Sequence, residues 1–107
     1  MLIAVQPPLA AKDLLLECLG RDGEVIPTRH FLIELEKEEL IFPDIIHVLR
    51  HGTIFDPPEG DIKTGEWKYR IEGTEPDGKQ VAVIFSFKAI NRACLVTVFS
   101  IRGGANA

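Results

Sequence analysis

The hydrophobic pattern of this chain changes period at Gly52, and that change constrains the fold more than any other feature. Before it, apolar residues recur at three- and four-residue spacing. Leu14, Leu15, Cys18 and Leu19 fall with Ala11, then come Phe31, Leu32 and Leu35, then Ile45, Ile46, Val48 and Leu49. Such spacing puts each set on one face of a helix. After Gly52 the pattern alternates. In Trp67-Lys68-Tyr69-Arg70-Ile71-Glu72 the apolar and charged side chains leave an extended chain on opposite sides. Helices followed by a strand meander predict an α+β domain, with N-terminal helices packed on one face of a three- to four-stranded antiparallel sheet.

Turn residues set the expected boundaries. Helix one runs from about Pro8 to Leu19, with prolines at its start and Gly20 as its stop. Arg21 to Pro27 reads as a linker. Thr28 is placed to cap a second helix that reaches about Glu39. Pro43 and Asp44 open a third, closed by Gly52, with Arg50 and His51 in its last turn. A short strand at Thr53–Phe55 ends at Asp56-Pro57-Pro58, and residues 59–65 form a loop. Strands follow at Glu66–Thr74, Gln80–Phe87 and Cys94–Ile101, the first two joined by the tight turn Glu75-Pro76-Asp77-Gly78. The expected division is residues 1–25 as helix and linker, 26–101 as the α+β unit and 102–107 as a disordered tail, all one structural domain.

Charge divides with the pattern. Residues 1–62 hold five Lys/Arg against twelve Asp/Glu, and residues 63–107 hold seven against four. The net charge of −4 argues against a protein that coats nucleic acid non-specifically, while leaving room for a positive field on the sheet half. Cys18 and Cys94 sit in apolar runs with no metal-binding spacing, which reads as two reduced thiols of a cytoplasmic protein with no cofactor. Met1–Val5 lacks a basic flank and is cut short by Pro7-Pro8, so no leader is expected. No apolar run has membrane-spanning length.

Thr28-x-His30 opens a helix, a second short helix ends in Val48-Leu49-Arg50-His51-Gly52, and Ile54 follows. Then come Gly65-x-Trp67-Lys68-Tyr69-Arg70-Ile71-x-Gly73, Asp77-Gly78 and Val96-Thr97-Val98-Phe99. In order and spacing this resembles the small bacterial proteins of the DUF4258 family, over residues 26 to 101. The resemblance implies a fold like that of RelE and MqsR toxins, a compact sheet backed by helices. It implies metal-independent RNA cleavage, RNA as substrate and a small zinc-finger antitoxin as partner. Relatives tend to carry basic residues four and eight positions after the histidine. This chain has Glu34 and Glu38 there.

Metal-free RNA cleavage needs a base for the ribose hydroxyl, cations for the phosphate and an acid for the leaving oxygen. Arg70 is the candidate clamp because its planar fork grips two oxygens. Lys68 lies two residues away on the same strand face, His30 is the candidate acid/base, and Glu72 is a second base or a partner for Arg70. The same Glu-x-Lys-x-Arg-x-Glu row equally suits an ordinary solvated sheet face. Trp67 and Tyr69 share a strand face with Ile71, which predicts core rather than base stacking. His47 and His51 have metal-binding spacing with Asp44 nearby, but they also suit the C-terminal turn of a helix. A different class of function fits the same residues: a non-catalytic protein-binding module, its partner covering the apolar sheet surface or adding a strand at Thr53–Phe55, with homo-oligomers as one case.

Overall fold

The computed structural model describes residues 4–101. The elements are α1 (Pro8–Cys18), β1 (Glu24–Pro27), α2 (Arg29–Lys37), α3 (Phe42–His51), β2 (Glu59–Gly60), β3 (Trp67–Thr74), β4 (Gln80–Ala89) and β5 (Arg92–Ser100). The α+β class and all three helices follow the sequence pattern. The sheet does not: it has five strands, ordered β1-β5-β4-β3-β2, and it is mixed. β1 runs parallel to β5, pairing Glu24 with Arg92 through Pro27 with Leu95. The other neighbours are antiparallel.

Two of the five strands, β1 and β2, fall in segments expected to be connections. β1 is four residues long and ends on Pro27, too short for alternation to mark it. Its ladder lies on a segment 68 residues further along the chain, and a parallel pair needs such a crossover. β2 is two residues within the expected loop, paired with Trp67 and Lys68. Conversely, the strand expected at Thr53–Phe55 is only a bridge from Thr53 to Glu72. The expected connection at residues 88–93 shrinks to a turn at Ile90 and Asn91. The division expected at residue 25 falls inside β1, and α1 shares the common core through Ala11, Leu15 and Cys18. The expected tail, residues 102–107, lies outside the described residues.

All three helices cover one face of the sheet. Their buried residues, including Phe31, Leu35, Ile45, Val48 and Leu49, meet Tyr69 and Ile71 of β3, Val81, Val83, Phe85 and Phe87 of β4, and Leu95 and Val98 of β5. Tyr69 stacks on Phe85 at 5.4 Å between ring centres, and Phe87 stands edge-on to both. The Tyr69 hydroxyl is not left bare: it accepts from the Gln6 N–H at 2.9 Å. Burial raises its pKa. Trp67 departs from its expected core role and is 38% exposed. As the first residue of β3 it lies at the sheet margin, its ring edge 3.3 Å from the point where a Cβ on Gly60 would sit.

Helix ends are held by chemistry the sequence announces. The Thr28 hydroxyl accepts from the Phe31 N–H at 3.1 Å and donates to the Val96 carbonyl at 3.3 Å, tying α2 to β5. Asp44 accepts from the Ile41 N–H at 3.0 Å at the start of α3. Lys12 donates to the Gly52 carbonyl and so fastens α1 to the end of α3; partial burial lowers its pKa. Gly52 and Gly73 let α3 and β3 touch backbone to backbone: a Cβ on Gly73 would lie 3.1 Å from the Gly52 Cα. Glu75 is buried within the β3–β4 turn, its carboxylate accepting from the Lys79 N–H at 2.7 Å.

Candidate functional site

Because the helices occupy one face, the other face of the sheet is open. The alternation of β3 sends Lys68, Arg70 and Glu72 to that side, opposite Tyr69 and Ile71. β4 adds Ile84, Ser86 and Lys88, and register with β4 places Cys94, Thr97 and Phe99 of β5 there too. A bulge sets Val96 and Thr97 of β5 across from the single residue Ile84. Ile26 of β1 is 40% exposed and stands beside Cys94. The Arg70 guanidinium lies over the Phe99 ring, 5.2 Å from its centre.

The segment before β3 folds against this face and turns it into a hollow of about 690 Å³. Asp56, Pro57, Glu59, Asp61, Lys68, Arg70, Glu72, Ile84 and Val96 form its walls. Asp61 organises the β2–β3 loop, accepting from the N–H groups of Lys63 at 2.9 Å and Thr64 at 3.3 Å. Those two backbone hydrogen bonds, helped by nearby Lys68, hold its carboxyl below the usual range. Gly65, with φ of 74°, supplies the left-handed residue the loop requires.

Among the described residues, each cation that β3, β4 and β5 place on the open face has a carboxylate partner. Lys68 pairs with Asp61 at 3.6 Å, and Arg70 Nε with Glu72 at 2.9 Å. Lys88 pairs with Glu66, which also accepts from the Ser86 hydroxyl at 3.4 Å. Arg92 pairs with Glu24 across β5 and β1. Asp56 and Glu59 have no ion-pair partner among the described residues. The sheet half of the sequence is basic by count, but the fold brings Asp56, Glu59 and Asp61 to it, so four carboxylates and two cations line the hollow.

Three of the four predicted catalytic residues thus share one wall: Lys68, Arg70 and Glu72. His30 does not join them. It is exposed on α2, whose inward residues Phe31 and Leu35 enter the helix-covered core, and it is absent from the walls of the hollow. Glu34 and Glu38, on its helical face, pair with Lys37 and contact the Ser100 hydroxyl respectively. The His47 and His51 rings lie 4.6 Å apart between centres and are tilted by 48° to each other, and no group of three metal-ligating side chains occurs among the described residues. Asp56, Glu59, Ile84 and Val96 have no site role in the sequence reading, where Asp56 only ends a strand and Val96 only belongs to the stretch that carries the resemblance. The acidic run Asp56-Pro-Pro-Glu59-Gly-Asp61 just before a strand was the available signal.

No helix among the described residues is long and apolar enough to cross a membrane. No protein-family model, no curated protein and no solved structure matches the chain.

Proposed function

We propose that this protein is a non-catalytic protein-binding module that uses the open face of its sheet. The observation that carries this reading is that, among the described residues, the open-face cations of β3, β4 and β5 are paired with carboxylates, beside half-buried Ile84, Val96 and Phe99 and exposed Ile26. A phosphate-binding site needs unspent positive charge, and here two further carboxylates border the hollow. Strand addition at residues 53–55 is not part of the proposal, because this segment forms a single bridge from Thr53 to Glu72 and not a strand. The open face remains, and its apolar residues gain by being covered.

The rival reading is the toxin of a toxin–antitoxin pair, a metal-independent ribonuclease of RelE/MqsR type. One observation favours it: Lys68, Arg70 and Glu72 lie together, and Glu72 engages only the Nε of Arg70. The helix-backed sheet also suits the layering that the DUF4258 resemblance implies. Incubation with a long mixed-sequence RNA in EDTA separates the two, with Arg70→Ala and His30→Ala controls. The expected result is intact RNA. Discrete cuts ending in cyclic phosphate, lost in Arg70→Ala, overturn the binding-module proposal.

A further inference from the structure

We infer that the hollow on the open face docks a basic, extended polypeptide segment of a partner protein. The inference rests on the binding-module reading and adds the chemistry of the partner. Its walls have two characters. Ile84, Val96 and Pro57 are apolar, while Asp56 and Glu59 are exposed carboxylates without ion-pair partners among the described residues. Lys68 and Arg70 are held by Asp61 and Glu72, so among the residues lining the hollow the charge without a partner is negative; exposed Lys63 lines the adjoining depression with Glu59.

An arginine or lysine side chain matches that combination. Its methylene stem covers apolar surface while its head reaches carboxylates in water. Alternate side chains of an extended segment project to one side, so aliphatic residues flanking the cation in space settle along β4 and β5. The hollow, at about 690 Å³, is within the roughly 300–1,000 Å³ usual for ligand sites. A polyphosphate backbone meets like charge at the same rim. A bare metal ion finds no three-ligand group among the described residues.

The test is a series of ¹⁵N–¹H spectra of the full chain, titrated with three acetylated, amidated pentapeptides that put residues 1, 3 and 5 on one face when extended: Val-Ser-Arg-Ser-Val, Val-Ser-Ser-Ser-Val and Val-Ser-Glu-Ser-Val. The arginine peptide is expected to shift the amides of Asp56, Glu59, Ile84 and Val96. Its affinity is expected to fall roughly three- to tenfold in the double variant Asp56→Asn, Glu59→Gln, and to weaken with salt. Both substituted side chains are exposed, and the spectrum of the free variant checks that it folds. If the serine or glutamate peptide shifts the same amides as strongly, the basic partner is refuted and the binding face stands. If none of the three moves these amides, the docking site is refuted. If a short RNA moves them instead, the binding-module reading falls with it.

Discussion

Gly52→Ala is the sharpest probe of how the helical layer is joined to the sheet. Gly52 has φ of −77° and ψ of 178°, a conformation alanine adopts freely, so backbone strain is not the issue. The obstacle is space. A Cβ at Gly52 would lie 2.5 Å from the Val48 carbonyl oxygen, 2.6 Å from the Glu72 carbonyl oxygen and 3.0 Å from Ile71 Cγ1. Two of these are backbone atoms of different elements, so no side-chain rotation relieves the clash. α3 and β3 must separate. The Thr53 N–H to Glu72 carbonyl bond, 2.8 Å, lies directly in the path of that movement. Overpacking typically costs about 1–3 kcal/mol; with two backbone oxygens inside 3 Å the upper part, about 2–3 kcal/mol, applies, offset by roughly 1 kcal/mol from the lower entropy of the unfolded alanine chain. The net expectation is a loss of about 1–2 kcal/mol, or a fall in Tm of roughly 4–16 °C for a domain near this size. Urea unfolding followed by circular dichroism measures it, with an unchanged m-value as the sign of a simple stability loss. A loss below about 0.5 kcal/mol, within the range of ordinary surface changes, refutes the close approach.

Thr28→Ala removes both the cap of α2 and its link to the Val96 carbonyl, and is expected to cost about 1–2 kcal/mol in the same assay. Glu39 sits just past α2 with φ of 58°, a left-handed conformation that costs a side-chain-bearing residue about 1–2 kcal/mol, so Glu39→Gly is expected to raise Tm. Cys18 is buried, and burial, with Glu17 beside it, pushes its thiol up to about 11. Thiol titration at pH 8 is therefore expected to find one reactive group, Cys94, in the folded protein and two after denaturation. The same shift has a stability consequence. The folded state keeps the Cys18 proton between pH 9 and about 11, where the unfolded chain loses it. The stability advantage of the wild type over Cys18→Ala is expected to be complete below pH 9 and to disappear towards pH 11.

The sequence by itself determined the local elements and most of the core. Helix starts at Pro8, Thr28 and Pro43 are written in the residues that satisfy free backbone groups, and they hold to within a residue or two. The inward residues of β3, β4 and β5 follow from alternation, because burial on one face selects every second side chain. The row Lys68, Arg70 and Glu72 was legible for the same reason, as was its pairing of Arg70 with Glu72. Only the tertiary structure decided the rest. β1 and β2 are too short to carry a period, and they become strands through pairing with Leu95 and Lys68 and their neighbours. Trp67 has the right parity for the core but lies where the helical layer does not reach. Parity names a face, and cover over that face depends on packing. His30 was grouped with Arg70 by order along the chain, yet α2 carries it away from the hollow. The sign of the open face was also undetermined by the sequence halves. Charge along a chain is a sum, whereas the field at a surface depends on distance, and the fold brings Asp56, Glu59 and Asp61 within reach of a strand that looked basic.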